Sequence, residues 1–201
     1  MRVPGLYHMV LLLRRSPETA FERAMLMQRL RSRRVVLSVA AGAVLLALAA
    51  AAAAKWSIDR ELECLALNVY FEARGEPLAG QVAVAHVVMN RSADPRFPGN
   101  VCDVVRQGGK ETIDCQFSWW CDEHADRPTH MADWQLAKEI ARTVYWSGAE
   151  DPTGGALWYH AVHVRAYWRG RYQKGPVIGR HIFYRDKAAS AQPAAVRKKY
   201  G

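Results

Sequence analysis

Glu72 falls on an apolar stripe, where an ionisable side chain is costly to keep unless it is paired or has work to do. Leu62, Leu65, Val69, Glu72 and Glu76 follow one another at steps of three, four, three and four, the spacing of one helical face, and Gly75 supplies a stop for that helix. A carboxylate turned toward a core or cleft is either paired or held protonated, and in the protonated form it can act as a general acid. Arg74 and Arg91 are the partners that would make Glu72 a structural ion pair instead.

The second chemical set is the four cysteines. Cys64, Cys102, Cys115 and Cys121 all follow an apolar N-terminal segment, and an even number of cysteines in an exported domain reads as two disulfides. The close pair Cys115 and Cys121 would close a loop around Gln116-Phe-Ser-Trp-Trp120 and leave Cys64 for Cys102, although spacing alone does not fix connectivity. A zinc site at Cys115, Cys121, His124 and His130 is the rival, but its spacings are loose for structural zinc, so no metal or cofactor is expected.

The apolar segment is Val35 to Ala54, an uncharged run preceded by Arg29, Arg31, Arg33 and Arg34. Its length meets the roughly 20 residues that a membrane helix needs, and the positive side stays in the cytoplasm. Residues 1–34 are therefore expected to be a basic cytoplasmic segment and 35–54 an inner-membrane anchor. A cleaved signal peptide competes, because Ala50 to Ala54 offers A-x-A cleavage points. Either way, residues 56–187 are expected as a domain in the periplasm, with 188–201 as a basic tail.

Of the 28 Lys+Arg and 19 Asp+Glu, residues 1–54 hold 8 and 2, leaving 20 and 17 for the remainder, a net of +3. That remainder is uneven. From His163 onward there are ten Lys or Arg against one acid, Asp186, a balance that suits an anionic polymer. Nucleic acid is a poor candidate outside the cytoplasmic membrane.

Several elements must position these groups. A helix is expected from Asp59 to Ala73, capped by Ser57 or Asp59, and a second from Leu78 or Ala79 to Arg91, apolar nearly all round. A short helix at Val101 to Gln107 and a third amphipathic helix between Asp133 and Gly148 follow. Gly108 to His130 reads as a long loop, and Ala156 to Ala161 and Val177 to Tyr184 read as strands joined by a basic link, Arg165 to Lys174. His86, on the second helix, reads as a satisfied core or rim histidine.

Taken together, Asn68-x-Tyr-x-Glu-Ala-Arg-Gly-Glu76, Gly80-Gln-Val-Ala-Val-Ala, Asn90-Arg91, Phe97-Pro98, Val101-Cys-Asp-Val-Val105, Gln116-Phe-Ser118 and Ile178-Gly-Arg-His-Ile-Phe-Tyr184 resemble the SleB-type cell wall hydrolases, the spore cortex-lytic enzyme family. The resemblance runs from about Leu62 to Arg185. It implies an α+β fold, a lysozyme-like helical domain with a small antiparallel sheet, acting on peptidoglycan glycan strands between N-acetylmuramic acid and N-acetylglucosamine. It also implies that Glu72 is the catalytic acid. The chain departs from the family pattern at Leu157-Trp-Tyr-His160 and at Ala166, which stands in a Val-x-Pro-x-Trp-like segment.

Glycosidic cleavage needs a proton for the leaving oxygen, and usual glycosidases add a second carboxylate; Glu76, Asp122 and Glu123 are the candidates, none on a convincing motif. The substrate's own acetamido oxygen and C6 hydroxyl can replace them, which favours a 1,6-anhydro product over hydrolysis. Phe117, Trp119, Trp120 and Tyr159 are candidate sugar platforms, Gln116, Ser118 and Asn90 candidate partners of the acetamido groups, and Glu76 and His160 further substrate contacts. Two other classes stay open: a non-catalytic wall-binding protein, and a zinc amidase using His160, His163 and Glu72. No feature names a protein activator.

Overall fold

The structure, a computed structural model, describes residues 17–108, 115–122, 124–146 and 148–187. Glu123, most of the basic N-terminal segment's first half and the tail at 188–201 lie outside the described residues. The order of elements is α1 (Pro17–Ala73), α2 (Leu78–Ala93), α3 (Val101–Val105), a 3-10 turn (Ser118–Trp120), α4 (Met131–Tyr145), β1 (Trp158–Ala161), a second 3-10 turn (Tyr167–Arg171), β2 (Gln173–Ile178) and β3 (His181–Arg185).

The chain divides into two units, Met1–Ala54 and Lys55–Gly201. The helical part of the first is exposed along its length and reaches a mean hydropathy of 2.5, apolar and long enough to cross a membrane by length and composition. The expected helix start at Ser57 or Asp59 is not found; α1 runs through it. Neither residue caps, because alanines and other good helix formers lead into Lys55, and Lys55 pairs with Asp59 one turn on at 2.6 Å.

In the second unit α2 is the central element. Ala85, Val88 and Met89 pack with Leu65, Val69, Val104, Ile140 and Val144 in one cluster, while Ala83, Val84 and Val87 pack with Ala73, Ala156 and Phe183 in another. A helix sandwiched between helices and a sheet must be apolar all round, as its sequence is. α3 is fastened to α1 twice, by the Cys64–Cys102 disulfide and by Glu61, whose carboxylate accepts the Val101 N–H at 2.9 Å.

The sheet has three antiparallel strands in the order β1-β3-β2. The expected single strand Val177 to Tyr184 is instead a hairpin. Gly179 takes φ +57°, a left-handed turn conformation, and splits the apolar run into the end of β2 and the whole of β3. The last two residues of the expected basic link, Gln173 and Lys174, are drawn into β2.

Candidate active site

α1 ends at Ala73, and Gly75 at φ 81° turns the chain toward α2. Glu72 sits in the last turn, half-buried, with its side chain turned toward β1. The Tyr159 hydroxyl donates to Glu72 Oε2 at 2.9 Å. Loss of hydration raises the Glu72 pKa above the usual carboxylate value, against the opposing pull of the Tyr159 hydrogen bond and the Arg91 charge. Tyr159 is itself held well above an ordinary phenol by burial and by the neighbouring carboxylate, so it stays a donor. One oxygen of Glu72 thus has a fixed donor, and no protein hydrogen bond to the other is seen among the described residues.

Neither arginine pairs with Glu72. Arg74 Nη1 donates to the Tyr70 hydroxyl at 2.8 Å. Arg91 is fully buried, its Nε donating to the Leu157 carbonyl at 2.7 Å and its guanidinium lying against the rings of Phe97 and Phe117 at 5.3 and 5.4 Å. Desolvation pushes its pKa down to about 10, countered by Tyr159 and Glu72.

Glu76 lies four residues on, in a different setting. Its carboxylate accepts the Arg180 backbone N–H at 2.8 Å and the Arg180 Nε at 2.5 Å, fastening the α1–α2 corner to the β2–β3 turn. Burial works against the ionised form, but the hydrogen bonds and charge of Arg180 outweigh it, and the Glu76 pKa is lowered. Of the other second-carboxylate candidates, Asp122 is exposed and accepts the His124 N–H at 3.0 Å.

Among the remaining residues singled out in the sequence, Tyr159 is the one with a hydrogen bond to Glu72. Phe117 and Trp119 are core residues; Trp119 stacks on Phe71 at 4.8 Å and donates its indole N–H to Asn68 Oδ1 at 3.1 Å. Gln116 and Ser118 are exposed beside them, and Trp120 is half-buried under Arg106. The Cys115–Cys121 disulfide closes this loop. Both Asn90 amide hydrogens are engaged, with Asp151 at 3.0 Å and Ala156 O at 3.1 Å, which holds the turn before β1. His160, next to Tyr159 on the strand, faces the other side of the sheet, bonded to the Ala161 carbonyl and the Tyr184 hydroxyl. That alternation separates it from Glu72. Among the described residues no group of three His, Cys, Asp or Glu is arranged to hold a metal.

Three residues that sequence reasoning gave no substrate or catalytic role belong to this neighbourhood. His181 sets its ring against the edge of Tyr159 at 5.1 Å. Asn68 pins the Gln-Phe-Ser loop through Trp119. The Tyr70 oxygen accepts three N–H groups, from Arg74, Thr129 and His130, which draws the segment before α4 onto α1. Burial works to raise the Tyr70 pKa, but those donors outweigh it and bring it to about 8. All three stood in the resembling motifs; nothing in the spacing disclosed their contacts.

Comparison with known proteins gives one family model, Cell Wall Hydrolase, matching residues 75–184. The spore cortex-lytic enzyme of Bacillus subtilis (strain 168) is 49% identical over 126 residues, 62% of this chain and 37% of that protein. The spore cortex-lytic enzyme of Halalkalibacterium halodurans is 33% identical over 126 residues, 62% of this chain and 34% of that protein. The chain thus spans little more than a third of either relative. The catalytic domain of the germination-specific lytic transglycosylase SleB from Bacillus anthracis is 29% identical, covers 62% of this chain and 93% of that one, and superposes with a TM-score of 0.49.

Proposed function

Because the chain belongs to the cell wall hydrolase family, we propose that it is a peptidoglycan glycosidase in which Glu72 protonates the oxygen between N-acetylmuramic acid and N-acetylglucosamine. The observation that carries this reading is the pairing of Glu72 with Tyr159: a half-buried carboxylate with a raised pKa, one donor, and an oxygen left for a proton. Protonation of the leaving oxygen breaks the C1–O bond as positive charge develops on the muramic sugar, whose acetamido oxygen shares that charge. Glu72, now a carboxylate, takes the proton of the C6 hydroxyl while O6 bonds to C1, and the product is the 1,6-anhydro sugar.

Two features favour that route over hydrolysis. Glu76 is engaged by Arg180, and Asp122 is exposed and accepts the His124 N–H, while Glu123 lies outside the described residues. The apolar segment Val35 to Ala54 supports export of the second unit, held by an inner-membrane anchor or released after signal cleavage.

Digestion of purified sacculi, followed by mass spectrometry with and without borohydride, tests the reading. Anhydro-muropeptides that resist reduction are expected. Reducing muramic ends would show hydrolysis, and intact glycan with cut peptide stems would reject both glycosidic routes.

A further inference from the structure

The two faces of the sheet are differently occupied. Side chains alternate along a strand, so Tyr159, His181 and Phe183 turn toward Glu72 and the core while Trp158, His160, Ile182 and Tyr184 turn the opposite way. The register adds Lys174, opposite Tyr184, and Val177, opposite Ile182, to that outer face. The chain after β1 folds along it, and together they form a shallow groove of about 560 Å³ whose walls carry Arg165, Arg169 and Lys174. Its floor is braced: His160 stacks on Tyr184 at 5.3 Å and bonds to its hydroxyl, and Trp168 packs edge-on against both.

The three cations are exposed, and none forms an ion pair among the described residues. The acids of this half are already engaged. Asp186 takes Arg96, and Glu76 takes Arg180. Three uncompensated like charges around one depression repel one another, a cost that a bound polyanion would remove. Tyr167, 88% exposed and two residues from Arg165, offers a ring face of the kind on which sugars pack.

We propose that this groove is a second binding site, behind the catalytic sheet face, for the carboxylates carried by the peptide stems of the intact wall. The inference rests on the reading of the chain as a peptidoglycan glycosidase. Concavity favours a strand over a lipid surface: Val162 and Val164 project at the rim, but Arg165, Arg169 and Lys174 stand among them around a recessed floor that a flat bilayer would not fill. Because the groove and Glu72 lie on opposite faces, the strand held here is a neighbour of the strand being cut. The site therefore matters for the insoluble polymer and not for short soluble fragments.

The test uses the full chain with Glu72→Gln in non-ionic detergent, pelleted with purified sacculi at about 0.1 M ionic strength, where charges are screened beyond about 10 Å. Combining Arg165→Glu, Arg169→Glu and Lys174→Glu is expected to weaken binding by about tenfold or more. Amidating the carboxylates of the sacculi should cause a like loss for the parent chain and no further loss for the variant. The neutral set Arg165→Gln, Arg169→Gln and Lys174→Gln should show an intermediate loss with an unchanged melting temperature, which separates lost binding from lost folding. In the Glu72-intact background, the charge-reversed chain should cut short soluble glycan fragments at the parental rate. Undiminished pelleting of the charge-reversed chain, parent-chain binding that amidation of the sacculi leaves unchanged, or a loss confined to phosphatidylglycerol vesicles would each overturn the proposal. Failure of the glycosidase reading is seen elsewhere, in the products released by the unaltered chain, whereas this experiment reads binding by a chain that does not turn over.

Discussion

Glu72 and Glu76 belong to one motif and stand four residues apart, yet the last turn of α1 and the corner after it treat them in opposite ways. The Glu76 side chain is the more hidden of the two, 3% exposed, but two N–H donors from Arg180 satisfy it and its pKa is lowered. Glu72 keeps some access to solvent, has one donor from Tyr159, and its pKa is raised. The difference teaches that desolvation raises a carboxylate's pKa where donors are too few to offset it, as at Glu72, and fails to do so where they suffice, as at Glu76.

The strongest test of that contrast is Glu72→Gln. A lost general acid is expected to reduce release of muropeptides from sacculi by about 10²–10⁴-fold. Stability should move the other way. A carboxylate with a folded-state pKa above its unfolded value contributes stability that is fully present in acid and lost as pH rises through the folded value. The Glu72→Gln melting temperature at neutral pH should therefore equal or exceed the parent's. Substantial residual turnover, or a large drop in melting temperature, would break the distinction between the two carboxylates.

The Glu76 corner should fail in stability first. A Cβ at Gly179 would overlap the Glu76 carboxylate, and its φ of +57° is strained for any other residue. Gly179→Ala should cost about 2–3 kcal/mol, the sum of a left-handed residue and a displaced ion pair, read by denaturant unfolding. Glu76→Gln keeps part of the hydrogen bonding, and Arg180 is 70% exposed, so solvent screening holds its cost to about 1–2 kcal/mol. Here the sign of the pH dependence reverses. A depressed carboxylate pKa contributes stability above the unfolded value that is lost as pH falls through the folded one, so the gap between parent and Glu76→Gln should close in acid. A gap that widened in acid would show that Arg180 is not what holds Glu76 ionised.

Local pattern made much of this legible and tertiary approach hid the rest. The stripe Leu62, Leu65, Val69, Glu72 follows from helical period alone, and Leu65 and Val69 are indeed buried without remainder. The same period misplaced Glu76, because Gly75 ends the helix and turns the next carboxylate toward a hairpin more than a hundred residues away. Phe117 and Trp119 read as candidate platforms for sugar, but an aromatic residue in a loop reads the same whether it faces solvent or core; the partners that bury them, Arg91 against Phe117 and Phe71 and Asn68 against Trp119, come from other elements. Gly179 likewise had no local signal strong enough to divide a continuous β-branched and aromatic run into two strands.

The smallest expected effect, and the one that sharpens the contrast most, is Tyr159→Phe. The phenol oxygen donates to Glu72 Oε2 and so favours the ionised carboxylate; removing it leaves burial less opposed, and the Glu72 pKa should rise further. Because the general acid must be protonated, the alkaline limb of the rate profile should move to higher pH. The maximal rate should fall several-fold, in line with about 0.5–1.5 kcal/mol for one lost hydrogen bond, since Glu72 is then less well aimed. The ring remains packed against His181 and Phe183, so the fold should hold. Those two effects separate positioning from packing. A fall in rate with no movement of the alkaline limb would mean that Tyr159 orders the cleft without touching the proton equilibrium of Glu72, and a limb that moved to lower pH would mean that the titrating group is not Glu72.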